Sequence, residues 1–272
     1  MKKPVIVASR IGAPVLLTAI VVVAVCDGLA LAGRAPTFVA VTALAALAVI
    51  IGIGVGVPAS GVFARPVLRA RTGRPEVAIT FDDGPHPTWT PPLLDLLESR
   101  GHRATFFVVG DRAAQHIGLL AEMARRGHEI ANHTWRHSYL TVMMHPRLLA
   151  DELERVSSLI ERASGSRPRW FRPPVGLLSP RIAPALHLAG LLLVAWTATA
   201  RDGVRRTTAQ EAFTRLDGEL AAGAILVLHD APLHGDAEPV ARTVLGMLLD
   251  RMEGLGLRSV TLSDLCAPTA TP

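Results

Sequence analysis

The hydrophobic pattern of this chain changes once. Up to residue 63 the apolar positions form two long blocks, and from Arg74 onward they form short runs between amphipathic stretches. Residues 11–26 are nearly all apolar, the run continues past Asp27 to Ala32, and 36–59 are apolar apart from Thr and Ser. Each block reaches the ~20 residues a helix needs to cross a bilayer. The pattern therefore predicts a membrane anchor over 1–63, with two transmembrane helices at about 11–32 and 36–59. Gly52, Gly54 and Gly56 give the second helix a small face suited to packing on the first. A competing reading makes the start a signal peptide, with Lys2-Lys3, an apolar region and Ala30-Leu31-Ala32 as cleavage site.

After a linker over 64–73, strand-like runs fall at 76–82, 104–109, 128–132, 169–172, 191–196, 224–229 and 257–262. Helical stretches lie between them at 91–100, 112–126, 147–164, 180–189, 207–222 and 239–254. Gly101, Gly127, Gly190, Gly223 and Gly254 stand at or just past the helix ends, where C-cap glycines belong. Seven strands alternating with helices predict an α/β domain over 74–265 with a parallel sheet, closed or nearly closed. A tail over 266–272 follows.

Charge narrows the partners. Lys2, Lys3, Arg10 and Arg34 belong to the anchor, and beyond residue 64 bases and acids nearly balance. No basic stripe remains, so no nucleic-acid partner is expected. Lys2, Lys3 and Arg10 precede the first span, Arg34 lies between, and Arg65, Arg69, Arg71 and Arg74 follow the second. By the positive-inside bias, the expectation is a multi-pass protein of the cell (inner) membrane with its body in the cytoplasm. A single crossing would instead put the body outside. Cys26 and Cys266 are read as free thiols, and no Cys-x-x-Cys pattern offers a thiolate metal site.

The chemistry gathers at the strand ends. Asp82, His133, Arg172, Asp202 and His229 all fall at or just beyond the C-terminal ends of different predicted strands. In a parallel barrel those ends share one rim, where active sites form. Asp82 and Asp83 are adjacent at a strand end and point in different directions, so one can bind a metal while the other takes a proton from water. A plain turn is the alternative for Asp-Asp-Gly-Pro. His133 and His137 are spaced to share one helical face and reach one ion. Two imidazoles and a carboxylate leave open positions, as in a catalytic zinc site. Arg172 opens Arg-Pro-Pro-Val-Gly, a rigid turn that can leave the Val175 amide free to stabilise an oxyanion, with a rigid loop and a solvent arginine as the alternative. His229 ends a buried strand as either a general acid or a core residue, and Asp202 is placed to hold its ring and raise its pKa.

These clusters resemble the motifs of the polysaccharide deacetylase family, carbohydrate esterase family 4, also called the NodB-homology domain. Thr80–Pro85, His133–His137, Arg172–Gly176 and Leu226–His229 match in order and spacing, and the likeness covers about residues 74–265. The resemblance implies a distorted (β/α)7 barrel and metal-dependent removal of acyl groups from sugars. It implies that Asp82 is the base, held by Arg172, and that Asp83, His133 and His137 bind a divalent metal, usually zinc. It also implies that His229 is the acid, tuned by Asp202. Two positions depart from the pattern. Val175 stands where an aromatic is usual, and Gly203 follows Asp202 where tryptophan is usual. Both thin the aromatic platform for a sugar.

The expected function is a membrane-anchored hydrolase removing an N-acyl group from a carbohydrate. With membrane lipid as its other partner, a lipid-linked or short sugar fits as substrate. Two alternatives stand beside it. One is an extracellular wall or polymer O- or N-deacetylase with one span. The other is a catalytically silent glycan-binding barrel, which would have lost its base or acid, whereas Asp82 and His229 both remain.

Overall fold

The computed structural model describes residues 12–203, 207–232 and 240–268, with backbone alone for 12–14. Two helices come first, α1 (Gly12–Leu31) and α2 (Thr37–Gly56), joined by a short turn and packed on each other. They turn Leu17, Val22, Phe38 and Val49 outward, an apolar surface of a kind that water disfavours. Among the described residues one helix, α2, is long and apolar enough to cross a membrane, and the apolar part of α1, Val15–Leu31, is shorter. The expected pair of spanning helices is thus reduced to one by this measure. The start of the first block, with Lys2, Lys3 and Arg10, lies outside the described residues. The glycine face is not the seam with α1. A side chain added at Gly52 or Gly56 would meet nothing within 4 Å, and Gly54 faces Val62 and Phe63.

The body alternates strand and helix: β1 (Glu76–Asp82), α3 (Thr90–Ser99), β2 (Ala104–Val108), α4 (Gly110–Gln115), α5 (Ile117–Arg125), β3 (Glu129–Asn132), α6 (Pro146–Ser164), β4 (Trp170–Phe171), α7 (Ile182–Ala189), β5 (Leu192–Leu193), β6 (Ala198–Thr199), α8 (Ala209–Asp217), β7 (Ile225–His229), α9 (Ala241–Gly254), β8 (Arg258–Ser259) and α10 (Leu262–Leu265). The sheet runs β5-β4-β3-β2-β1-β7-β6, with β8 added on β1, and all these pairings are parallel. It is a curled α/β sheet, as a (β/α)7 barrel requires.

Strand β1 shows how the pleat places chemistry. Successive side chains point to opposite faces. Val77, Ile79 and Phe81 pack with Leu93, Leu97 and Leu248 of the surrounding helices. Ala78 faces inward with Phe107, Trp170 and Ile225. The inward face continues through Thr80, whose hydroxyl donates to Leu226 O at 2.8 Å, to Asp82 at the rim.

The sheet does not close on its own. The predicted strand 191–196 divides because its residues change partners. Leu192 and Leu193 pair with β4, Val194 pairs with Val67, and Thr197 N–H donates to Ile225 O at 2.8 Å. Residues 198–199 then form a separate β6 on β7. Between β5 and β6 runs the stretch expected as a linker. Val67 N–H donates to Leu193 O at 3.0 Å, and Ala70 N–H donates to Gly223 O at 2.8 Å. Ala64, Val67 and Ala70 are buried. This segment is a strap across the barrel's seam.

Candidate active site

Asp82 ends β1, and Arg172 follows β4 directly. The guanidinium is fully buried inside the barrel, under the ring of Phe107 at 4.1 Å. Its Nη1 donates to Asp82 Oδ1 at 2.6 Å and Thr80 Oγ1 at 2.9 Å, and its Nη2 donates to Ala195 O at 2.9 Å. Burial pulls the Arg172 pKa down, and the Asp82 charge opposes that. One carboxylate oxygen is thereby fixed, and the group is aimed at the rim.

Asp83 takes a different path. Its backbone has φ 76, and Arg112 Nη1 donates to its carbonyl at 2.7 Å. The side chain meets His137 Nε2 at 3.0 Å and His133 Nε2 at 3.4 Å, and the three ligand atoms lie within 4.8 Å of one another. The arrangement suits a cation, for a reason visible in the hydrogen bonds. His133 Nδ1 lies 2.7 Å from Arg172 O, and a carbonyl only accepts, so Nδ1 carries the proton. In the neutral ring Nε2 then turns a lone pair toward a carboxylate. Asp83 Oδ1 is itself buried without a hydrogen bond. Two acceptors facing each other in a buried site make these three residues a candidate metal site.

The histidines do not converge through a helix, as their spacing predicted. Residues 133–138 form a bent loop after β3. Thr134 N–H donates to Asn132 Oδ1 at 3.0 Å, and His137 N–H donates to Thr134 Oγ1 at 3.0 Å. Side-chain acceptors on the backbone replace the helical ladder, and the left-handed turns at Thr134 (φ 67) and His137 (φ 52) bring both rings onto Asp83.

Across the cleft, His229 ends β7. Asp202 Oδ1 contacts its Nδ1 at 2.6 Å, and Asp202 Oδ2 accepts its backbone N–H at 3.0 Å. Burial lowers the ring's pKa, yet the Asp202 bond and charge, with Asp83 and Asp82 beyond, raise it to about 9. The direction of that shift favours the protonated ring. Asp202 follows β6, a two-residue strand beyond the predicted run 191–196.

Every described non-glycine residue with positive φ lies in these loops: Asp83, Thr134, His137, Val175 and Arg201. Such conformations cost about 1–3 kcal/mol each and persist where surrounding structure enforces them. Val175, at φ 48, lines a cleft of about 380 Å³ with Asp82, Asp83, His133, His137 and His229. The aromatic surface expected to be thin is partly supplied from elsewhere. Trp196 lines the same cleft, so close to Gly176 that an added Cβ would lie 2.5 Å from its ring. Tyr139 meets His137 edge-on at 5.9 Å.

Two residues were not singled out from the sequence. Arg112 ties the Asp83 backbone to Pro232 O at 3.2 Å. Asp230, fully buried behind His229, accepts from Thr90 Oγ1 at 2.6 Å, and burial pushes it up to about 7. Its position directly after His229 was the available signal.

The sequence profile of the polysaccharide deacetylase family matches residues 69–194. A chitooligosaccharide deacetylase of Sinorhizobium fredii is 36% identical over 171 residues, covering 62% of this chain and 78% of the relative. A peptidoglycan-N-acetylglucosamine deacetylase of Bacillus cereus is 32% identical over 191 residues, covering 70% and 87%. Among solved structures, a family 4 acetyl xylan esterase of Clostridium thermocellum, in complex with a cobalt ion, is 30% identical and superposes with a TM-score of 0.63 over 70% of this chain and 89% of that one. Parallel barrel, motif order and relatives of this likeness agree: the chain belongs to the polysaccharide deacetylase family, a family of hydrolases that deacetylate carbohydrates.

Proposed function

We propose that this protein is a metal-dependent deacetylase that removes an N-acetyl group from an amino sugar. The observation that carries the reading is the meeting, in one cleft, of an Asp-His-His cluster, an arginine-held carboxylate and an aspartate-held imidazolium. Asp83, His133 and His137 would hold a divalent ion, and two imidazoles with one carboxylate suit zinc. When bound, such an ion polarises the acyl carbonyl and makes water more acidic. Asp82, held by Arg172, takes the proton of the attacking water. The Val175 amide donates to the oxygen that gains charge as the carbonyl becomes tetrahedral. His229 gives its proton to the departing amine, and Asp202 keeps that proton on the ring until it is needed. The likeness to an acetyl xylan esterase favours a second reading, an O-acetyl ester as substrate, for which the same residues serve.

We further propose that residues 1–63 anchor the barrel at a cell membrane. Two packed helices returning the barrel to the side of the N-terminus give a cytoplasmic site and a lipid-linked or short sugar. The peptidoglycan deacetylase relatives favour the other sidedness, in which α2 alone crosses and the barrel is outside.

The chemistry is tested with the full chain on N-acetylated chito-oligosaccharides. Acetate release should accompany roughly one bound divalent ion per chain. It should stop in His133→Ala and His137→Ala and after exhaustive chelation, and return when metal is restored to the unmodified chain. Undiminished release by the chelated protein would overturn the metal reading.

A further inference from the structure

We infer that the rim of the active site rests on the membrane surface, so that the site takes acetylated sugars presented at the lipid headgroups. The inference builds on α2 as a spanning helix and on the deacetylase reading above. It holds for either sidedness.

The anchor is bonded to the catalytic loop with no spacer between them. Leu178 N–H donates to Val55 O, in the last turn of α2, at 3.0 Å. The 3-10 turn Pro58–Ser60 then lies against Gly176, where an added Cβ would fall 3.0 Å from the Pro58 ring. Val62 and Phe63 fold back onto α2 at Gly54. A helix of ~20 residues is used up in crossing the hydrocarbon. Its last turn therefore sits at headgroup level, and Leu178 sits with it. Val175 is at most about 10 Å of extended chain from Leu178.

The rim beside this junction is apolar and uncovered. The 3-10 turn Tyr139–Met143 packs against the turn Pro174–Gly176. Val142 and Met144 enter the cluster that holds Phe63, Ala64 and Leu178. Their neighbours point out instead, with Leu140 72% and Met143 63% exposed. Val175 and Val57 are also exposed. In water such a patch is unfavourable, but continuous with a membrane helix it forms an interfacial surface. Exposed Arg136 precedes the first of these turns, and exposed Arg181, which donates to Met143 O, follows the second, so both are placed to attract anionic headgroups.

The test uses the full chain, with Cys26 and Cys266 replaced by Ser, in vesicles of phosphatidylcholine and phosphatidylglycerol. An environment-sensitive fluorophore is placed on Leu140→Cys or, at the opposite end of the barrel, on Leu255→Cys. The label at 140 should emit to the blue, be quenched by nitroxide on the acyl chains and resist iodide, and the label at 255 should do the reverse. The double variant Leu140→Gln, Met143→Gln should lose about tenfold in turnover of an acetylated amino sugar carried on a lipid in the same vesicles. It should keep full turnover of a soluble N-acetylated chito-oligosaccharide. Iodide quenching at 140 on anchored protein would overturn the placement, and so would equal losses on both substrates. Release of the protein by alkaline carbonate would overturn it through the anchor. Failure of the unmodified chain on every acetylated sugar would instead sink the deacetylase reading, and the labels would still report where the rim lies.

Discussion

Arg172 is fully buried, with its guanidinium 2.6 Å from Asp82. Removing one partner of such a buried pair costs about 3–5 kcal/mol, because the other charge is left without compensation. Asp82→Asn should therefore lower the denaturation midpoint as well as the rate. Turnover should fall by on the order of 10² or more, while metal content stays at the unmodified level. A variant that kept its rate would remove Asp82 as the base. His229 offers a separate reading through pH. Its folded pKa is raised from 6.5 to about 9, so the His229–Asp202 pair stabilises fully below 6.5 and is lost as pH rises through about 9. Activity that needs the protonated ring falls over the same alkaline limb. Asp202→Asn should move that limb of the kcat/KM profile to lower pH, compared at fixed metal concentration. An unmoved limb would separate Asp202 from the acid. The residues that bring these groups together were legible because polar side chains stood at the mouths of apolar runs. The left-handed backbone at Asp83, Thr134, His137 and Val175 was not, since no residue type announces it where glycine is absent.

At the scale of elements, strand positions were readable from apolar runs, and strand partners were not. Residues 191–196 look like one strand in the sequence, yet they pair first with β4 and then with the strap, and 197–199 go on to β7. Periodicity reports burial on a face and is silent about which neighbour covers it. The predicted helix 112–126 breaks at His116, whose φ −131 and ψ 44 separate α4 from α5. The strap itself, residues 64–70, has too little alternation to stand out as a strand, and its burial comes from the gap it fills. Its fit can be tested at Gly223, which has φ 82 and an ideal Cβ position 2.1 Å from Ala70 O. Gly223→Ala has to push the strap away or distort the turn before β7. A loss of about 1–3 kcal/mol in stability is expected, read from the urea midpoint. An unchanged midpoint would mean that the seam carries no load.

For the whole molecule, the sidedness of the barrel decides which sugars it meets. On the proposal that both apolar blocks cross, the flanking bases would return the barrel to the cytoplasm. A phosphatase fused after Arg74 should then be inactive, and a fluorescent protein fused there should glow. An active phosphatase would show that only one apolar segment crosses and would move the substrate to the wall. The seam has a different consequence, which concerns time. The strap is made before the strands that it joins, and Arg69 waits for Ala222, 153 positions further on. At about 5–20 residues per second, a ribosome needs roughly 10–30 s to deliver that partner. Through this interval α2 is already available for insertion, and the strap hangs beside a growing sheet whose β1 edge still lacks β7. Closure is thus among the last events of synthesis. Until β7 is made, that open edge is a template on which another chain can pair.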